Sequence, residues 1–475
     1  MAKNLVYDIH DKPPFSKIIV FAIQQLLAIM AATIAVPAII NSNEAIAVND
    51  MSASAALFGA GVGTIVYQLF TKFRSPVFLG SSFAFIGSMV AAFAGATTVA
   101  LGYLGLVIGA ILAGLVYVAI AIVVKFVGVG WINKLMPAAV IGPTVALIGL
   151  SLAGAAVKDV FSYGPQDSNN SFIMSTSIWL SLICALVTLF VVVISSTYGK
   201  KMVKLIPFII GILAGYAVAL IFTVIGYIAG ADSLKVIDFA PFRALVDGGV
   251  SFTTFLALPD FTFIKAFGGF KSFDLNYLAT IAVAYVPVAL VVFAEHIADH
   301  KNLSTIIDKD LLTDPGLDKT LLGDGVGSVA GALFGGCPNT TYGESVGCVA
   351  ITKNASIATI TTTAIMAVLI SFVSPFVAFL DSIPGCVMGG VCITLYGFIA
   401  VSGLKMIQKV DLEENANLFT VSAILIPGIG GMAMAIGKVT ITAIACSLIL
   451  GIIVNIVLTK FKKAPAADKS EEADK

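Results

Sequence analysis

Three carboxylates in this chain stand where a carboxylate is costly. Glu295 closes an apolar run that begins at Val288, Asp299 follows four residues later, and Glu344 follows Gly343 in a segment already interrupted by Pro338. Most of the other acidic residues read as loop, tail or span-end positions. An ionisable side chain at membrane depth is by default a functional candidate. The four-residue spacing turns Glu295 and Asp299 to one face of a helix. A broken span leaves backbone N–H and C=O groups without helical partners, which is tolerable only where they are buried in protein or face a cavity. At such a break a carboxylate accepts N–H bonds from a bound molecule, and the freed amides donate to its carbonyls. A plainer reading makes Glu344 the cap of a half-helix, with Thr341 three residues before it. The same plain reading makes Glu295 and Asp299 the marker of a helix end.

Neighbouring residues exclude two kinds of chemistry. His296 and His300 have the spacing of half a zinc motif, but no third ligand accompanies them, so no metal is expected. The six cysteines, among them Cys337 and Cys348, lie in or beside apolar segments and read as packing residues. No nucleophile–base pair goes with the acidic cluster, so the chain does not read as an enzyme.

The elements that hold these residues are membrane spans. The 475 residues are 59% hydrophobic and 11% charged, whereas a soluble chain carries about a quarter charged residues. A zero net charge gives no sign of a nucleic-acid partner. Apolar stretches near 16–40, 54–71, 77–96, 99–124, 135–157, 173–195, 204–230, 275–298, 319–336, 337–352, 355–380, 384–404, 415–435 and 438–459 each suit a crossing of about 20 residues. The first is long and lacks a cleavage pattern, so it reads as a span rather than a signal peptide. Fourteen crossings put both termini on one side. All of the 27 basic residues but Lys158, Lys235, Arg243, Lys265, Lys271 and Lys438 then share that side, which makes it cytoplasmic.

Seven spans precede the loop 231–273 and seven follow, so the halves run in opposite orientations. The third span of each half is the interrupted one: Gly80-Ser81-Ser82-Phe83 in the first, Pro338-Asn339-Thr340-Thr341-Tyr342-Gly343 in the second. Matching breaks in two inverted halves point to a binding site at the midplane. Glycines that merely let helices pack explain most of the 44 in the chain, but not this matched position.

The run from Glu344 to Lys353 resembles the signature of the nucleobase–ascorbate transporter (nucleobase:cation symporter 2) family. Ala294-Glu295-His296, Asp314-Pro315-Gly316-Leu317 and Gly80-Ser81-Ser82-Phe83-Ala84-Phe85 are similar to its uracil permease branch, and the likeness spans about residues 13–460. The resemblance implies an all-α polytopic fold of seven plus seven inverted spans, with short β-strands in spans 3 and 10. After a tail (1–14), a core domain would hold spans 1–4 (15–124) and 8–11 (274–380). A gate domain would hold spans 5–7 (125–230) and 12–14 (381–460). The loop 231–273 would be extracytoplasmic, and 461–475 a disordered cytoplasmic tail.

It further implies that Glu295 and Glu344 bind the ring nitrogens of uracil, that the amides of Phe83 and Gly343 serve its carbonyls, and that Tyr342 and Tyr396 line the pocket. Proton coupling would fall to Glu295, Asp299 and His300, with protons as the coupling ion and no cofactor. The setting is a plasma or bacterial inner membrane, in contact with lipid, and the implied assembly a homodimer. Ser345 replaces the signature Asn, Gln24-Gln25 a Gln-His pair, and Asp299 a His found in some members. A purine permease of the same family, an anion transporter of the same fold and a passive channel remain alternatives. Uracil offers two N–H donors and two carbonyls, and a buried site partner left unpaired costs about 1–3 kcal/mol, which discriminates against analogues lacking a group.

Overall fold

The structure is a computed structural model that describes residues 5–461 apart from 44, 45, 47, 49, 163, 201, 437 and 438. The expected disordered tail and Lys3, Lys201 and Lys438 therefore lie outside the described residues. Among the described residues nine helices are long and apolar enough to cross a membrane.

The first half contains α1 (Phe15–Asn41), α2 (Ala53–Phe70), β1 (Leu79–Ser81), α3 (Ile86–Ala94), α4 (Val99–Val127), α5 (Ala138–Ser151), α6 (Ala153–Val160), α7 (Thr176–Tyr198) and α8 (Pro207–Ala229). A 3-10 turn, Phe83–Phe85, leads into α3. The second half contains α9 (Leu275–Ile307), α10 (Leu317–Gly335), β2 (Asn339–Thr341), α11 (Gly343–Thr352), α12 (Ile357–Ile370), α13 (Ser374–Asp381), α14 (Gly385–Ile407) and α15 (Asn415–Ile429). The strands β3 (Met434–Ile436) and β4 (Val439–Ile441) and the helix α16 (Ala443–Phe461) complete it.

Local chemistry sets the helix ends. Ser52, Thr98 and Asp274 each accept a backbone N–H three residues on, starting α2, α4 and α9. Gly230 and Gly336, both left-handed, stop α8 and α10.

Helix packing falls into two sets. In one, α1, α2, α4, α9, α10 and α12 pack on one another, with α10 against both α2 and α4. In the other, α14 packs on α5, α6 and α7, α7 on α8, and α15 on α5 and α16. The contacts of α9 with α5, β4 and α16 join the sets.

Several boundaries differ from the sequence reading. The stretch expected as one span over 355–380 is two helices, because Pro375 opens α13 and cannot donate the N–H that would continue α12. The expected spans 415–435 and 438–459 are separated by an antiparallel hairpin of β3 and β4. Helix α15 stops at Ile429, and Gly431 at φ 73° turns the chain into it. Helix α9 runs nine residues past the expected 298, to Ile307. The loop 231–273 is built of short helical turns and is tied down at several points. Thr223 Oγ1 accepts from the amides of Val236 and Ile237. The Ala257 amide donates to Phe372 O. Lys265 Nζ lies 2.8 Å from Asp50 and 2.6 Å from Asp260.

Candidate functional site

Two strands three residues long put both breaks in one place. β1 and β2 pair antiparallel with Leu79 opposite Thr341 and Ser81 opposite Asn339. The ladder is extended at each end by Ser82 N to Pro338 O (2.8 Å) and Tyr342 N to Phe78 O (3.2 Å). Each strand runs directly into a helical segment, so two helix N-termini flank the ribbon. Phe83 is the first residue of one and Gly343 of the other. The first intrahelical bond of α11 is Val346 N to Tyr342 O, so the amides of Gly343, Glu344 and Ser345 precede the helical ladder. An added Cβ at Gly343 would find only Asp299 Oδ1 within reach, at 3.8 Å, so the space before this terminus is open.

Behind the ribbon the packing is tight. Tyr342 lies across Gly80, where an added Cβ would sit 2.4 Å from ring carbons, and its hydroxyl donates to Ser81 O at 2.9 Å. The sequence reading placed Tyr342 in the pocket lining; here its hydroxyl is spent on holding β1, and the residue is 3% exposed. Thr64 on α2 accepts from Leu79 N at 2.9 Å. Asn339 Nδ2 donates to Gly59 O at 3.0 Å, and an added Cβ at Gly331 would strike its amide.

The carboxylates converge on this ribbon. Glu295, Asp299 and Glu344 are all half-buried. Glu295 lies within electrostatic reach of Asp299, Glu344 and Asp324. Asp299 Oδ2 accepts from Thr341 Oγ1 at 2.7 Å. Glu295 Oε2 is buried without a hydrogen-bond partner. From the second helix set, Tyr396 on α14 meets Phe83 edge to face, ring centroids 5.6 Å apart.

His300 is not brought into this group. It points to the other side of α9, with Nε2 2.8 Å from Tyr67 Oη and Nδ1 2.8 Å from His296 O. Its place next to Asp299 in sequence gave a misleading neighbourhood, because adjacent helix residues face about 100° apart. The sequence reading also missed Asp324. This fully buried residue of α10 lies 2.7 Å from His296 Nδ1. Its signal was available: Asp324 stands five residues into the expected ninth span, flanked by Gly323 and Gly325.

Two departures from the family pattern meet. Gln25 Nε2 on α1 donates to Ser345 Oγ, which also accepts from Phe78 N at 3.3 Å. Nothing in the sequence joined residues 320 positions apart.

A cavity of about 780 Å³ opens beside the loops at Asp50, Asp260 and Phe372 and descends between the two helix sets to Asp159, Met388 and Cys392. The carboxylate group does not line it. Cys392 is one helical turn from Tyr396, so the Phe83–Tyr396 contact lies just below its floor.

Apolar helices of membrane length around half-buried carboxylates and half-helix ends define a multi-pass membrane protein of the transporter class. A profile of the permease family matches residues 16–437. The uracil permease of Bacillus caldolyticus is 36% identical over 456 residues, covering 95% of this chain and 94% of its own. The uracil permease of Bacillus subtilis strain 168 is 34% identical, covering 99% of each. The chain belongs to this permease family, the nucleobase–ascorbate transporters. Among solved structures, murine solute carrier 26 family member A9, an anion transporter in the inward-facing state, aligns at a TM-score of 0.61 with 13% identity, over 95% of this chain and 69% of that one. At that identity the likeness is one of fold.

Proposed function

We propose that this chain is a uracil:proton symporter that imports its substrate across the plasma membrane by alternating access. The observation that carries the reading is the unpartnered Glu295 Oε2, within electrostatic reach of Asp299 and of Glu344, which stands in the first turn of α11 after Gly343. Uracil needs acceptors for two N–H groups and donors for two carbonyls. Glu295 and Glu344 are the acceptors, and the amides of Phe83 and Gly343 the donors. The rings of Phe83 and Tyr396 close the site towards the large cavity. The relatives' names support the substrate.

The three carboxylates repel one another in a site of low dielectric. A proton shared between Glu295 and Asp299 relieves that repulsion, and its return to the cytoplasm drives uptake. One charge moving through about 100 mV supplies about 2.3 kcal/mol, roughly fifty-fold accumulation. The helix set containing α1–α4 and α9–α13 acts as the core, and that containing α5–α8 and α14–α16 as the gate. Fourteen crossings in two inverted sevens, cytoplasmic termini and a homodimer formed through the gate complete the reading.

The test is radiolabelled uracil uptake into proteoliposomes, with and without an inward proton gradient, for the wild type and Glu344→Gln. Gradient-driven uptake abolished in the variant is the expected result. Uptake of a purine in place of uracil overturns the substrate, and no uptake of any nucleobase overturns the proposal.

A further inference from the structure

Beside the ribbon a small cavity of about 10 Å³ lies between α4, α9, α10 and β2, and Tyr117 on its wall is within electrostatic reach of Asp324 and Glu295. Among the groups lining it are Tyr117, Asn339 and Ser328. Tyr117 and Asn339 are 4% and 2% exposed, and Tyr117 Oη and Asn339 Oδ1 are both buried without a hydrogen-bond partner. The orientation of the Asn339 amide is fixed, because Nδ2 donates to Gly59 O. Its Oδ1 is therefore an unused acceptor, and the Tyr117 hydroxyl an unused donor. A buried polar group left unpaired is costly. A space of roughly 10–15 Å³ with two to four polar partners is what one ordered water requires.

We infer that this cavity is a binding site for one structural water that bridges α4 to β2. The water accepts the Tyr117 hydroxyl proton and donates to Asn339 Oδ1 and to Ser328 Oγ. Asn339 is the residue of β2 paired with Ser81, so the bridge holds the register of the ribbon whose two ends carry the amides of Phe83 and Gly343. Tyr117 is a positioning residue, acting on the site through the water and Asn339. Its ring is fixed separately, by edge contacts with Phe293 and His296 at 6.5 and 6.2 Å, so removing the hydroxyl leaves that packing in place.

The consequence for binding rests on the proposed substrate; the water itself does not. The experiment compares density maps of the full chain in lipid nanodiscs, at a resolution that shows ordered water, for the wild type and Tyr117→Phe. Uracil affinity is measured on the same samples. The expected result is a water within hydrogen-bond distance of Tyr117 Oη and Asn339 Oδ1 in the wild type, absent in the variant, with affinity about five-fold weaker. Ser328→Ala, which leaves the water two partners, retains the density and binds within about two-fold of the wild type. A wild-type map that resolves other buried waters but none here overturns the inference. So does a Tyr117→Phe variant that binds uracil as the wild type does. If the wild type binds no uracil, the proposed function fails, and the map alone decides the water.

Discussion

Gly80→Ala tests whether the ribbon is the platform of the site. The added methyl would lie 2.4 Å from two carbons of the Tyr342 ring and 2.9 Å from its hydroxyl oxygen. The ring has to move, because the methyl grows directly from the backbone of β1. Forcing an extra methyl into a packed interior costs about 1–3 kcal/mol. Moving the ring also breaks the Tyr342 Oη bond to Ser81 O, at about 1 kcal/mol. The sum is about 2–4 kcal/mol. If the strain is relieved by parting β1 from β2, the amides at Phe83 and Gly343 leave their places. At about 1.4 kcal/mol per decade, uracil affinity then falls roughly 30- to 700-fold. The assay is equilibrium binding of labelled uracil to purified protein, with thermal melting as the check on folding. Tyr342→Phe is the companion variant. It loses the hydroxyl bond alone, and its affinity falls about five-fold. A Gly80→Ala protein that binds uracil within about three-fold of the wild type refutes the claim that this contact sets the site.

Two further predictions concern residues at the edges of the site. Gln25 and Ser345 form one hydrogen-bonded unit, so Gln25→Ala and Ser345→Ala are non-additive. Gln25→Ala costs about 1 kcal/mol in stability, Ser345→Ala about 2 kcal/mol because the Phe78 amide also loses its acceptor, and the double variant little more than Ser345→Ala, which a double-mutant cycle by thermal melting measures. On the loop side, burial raises the Asp50 carboxyl, but the hydrogen bonds from Lys265 and Tyr103 outweigh it and hold it below its ordinary 3.8. A depressed carboxyl keeps its contribution above its ordinary value and loses it only as pH falls through the lowered one. Lys265→Met therefore lowers the melting temperature by the same amount at about pH 5.5 and 7.5. A difference between those pH values would place a titrating group in this anchor.

What was legible in the sequence was the chemistry that membranes make expensive. Glu295, Asp299 and Glu344 stood out because an apolar run surrounds them, and their convergence on one ribbon is what the structure shows. Asp324 carried the same signal inside a glycine-rich run, where it passed as a span end. Direction was not legible. Sequence adjacency put His300 with Asp299, whereas the helix turns it to Tyr67. Pairings across the fold, such as Gln25 with Ser345, are set by tertiary packing, and no local pattern encodes them. The β3–β4 hairpin was hidden for a related reason: Val439-Thr440-Ile441 is apolar and β-branched, so it passes equally as a strand or as the start of a membrane helix.

The electrostatics of the ribbon bear on which cargo the fold accepts. Each helix N-terminus contributes roughly half a positive charge. Two of them flank a ribbon three residues long, about 10 Å. Left alone, such a pair forms a cradle for an anion. Here Glu344 sits in the first turn of α11 itself, and Glu295 and Asp299 come from α9. Three ionised carboxylates far outweigh the two N-termini, and with one proton shared between Glu295 and Asp299 the group keeps an excess of about one negative charge. A neutral molecule carrying both donors and acceptors then finds each group matched, whereas an anion meets uncancelled negative charge. On the proposed reading, the carboxylates convert an anion-binding geometry into one that selects a neutral nucleobase and couples its binding to a proton.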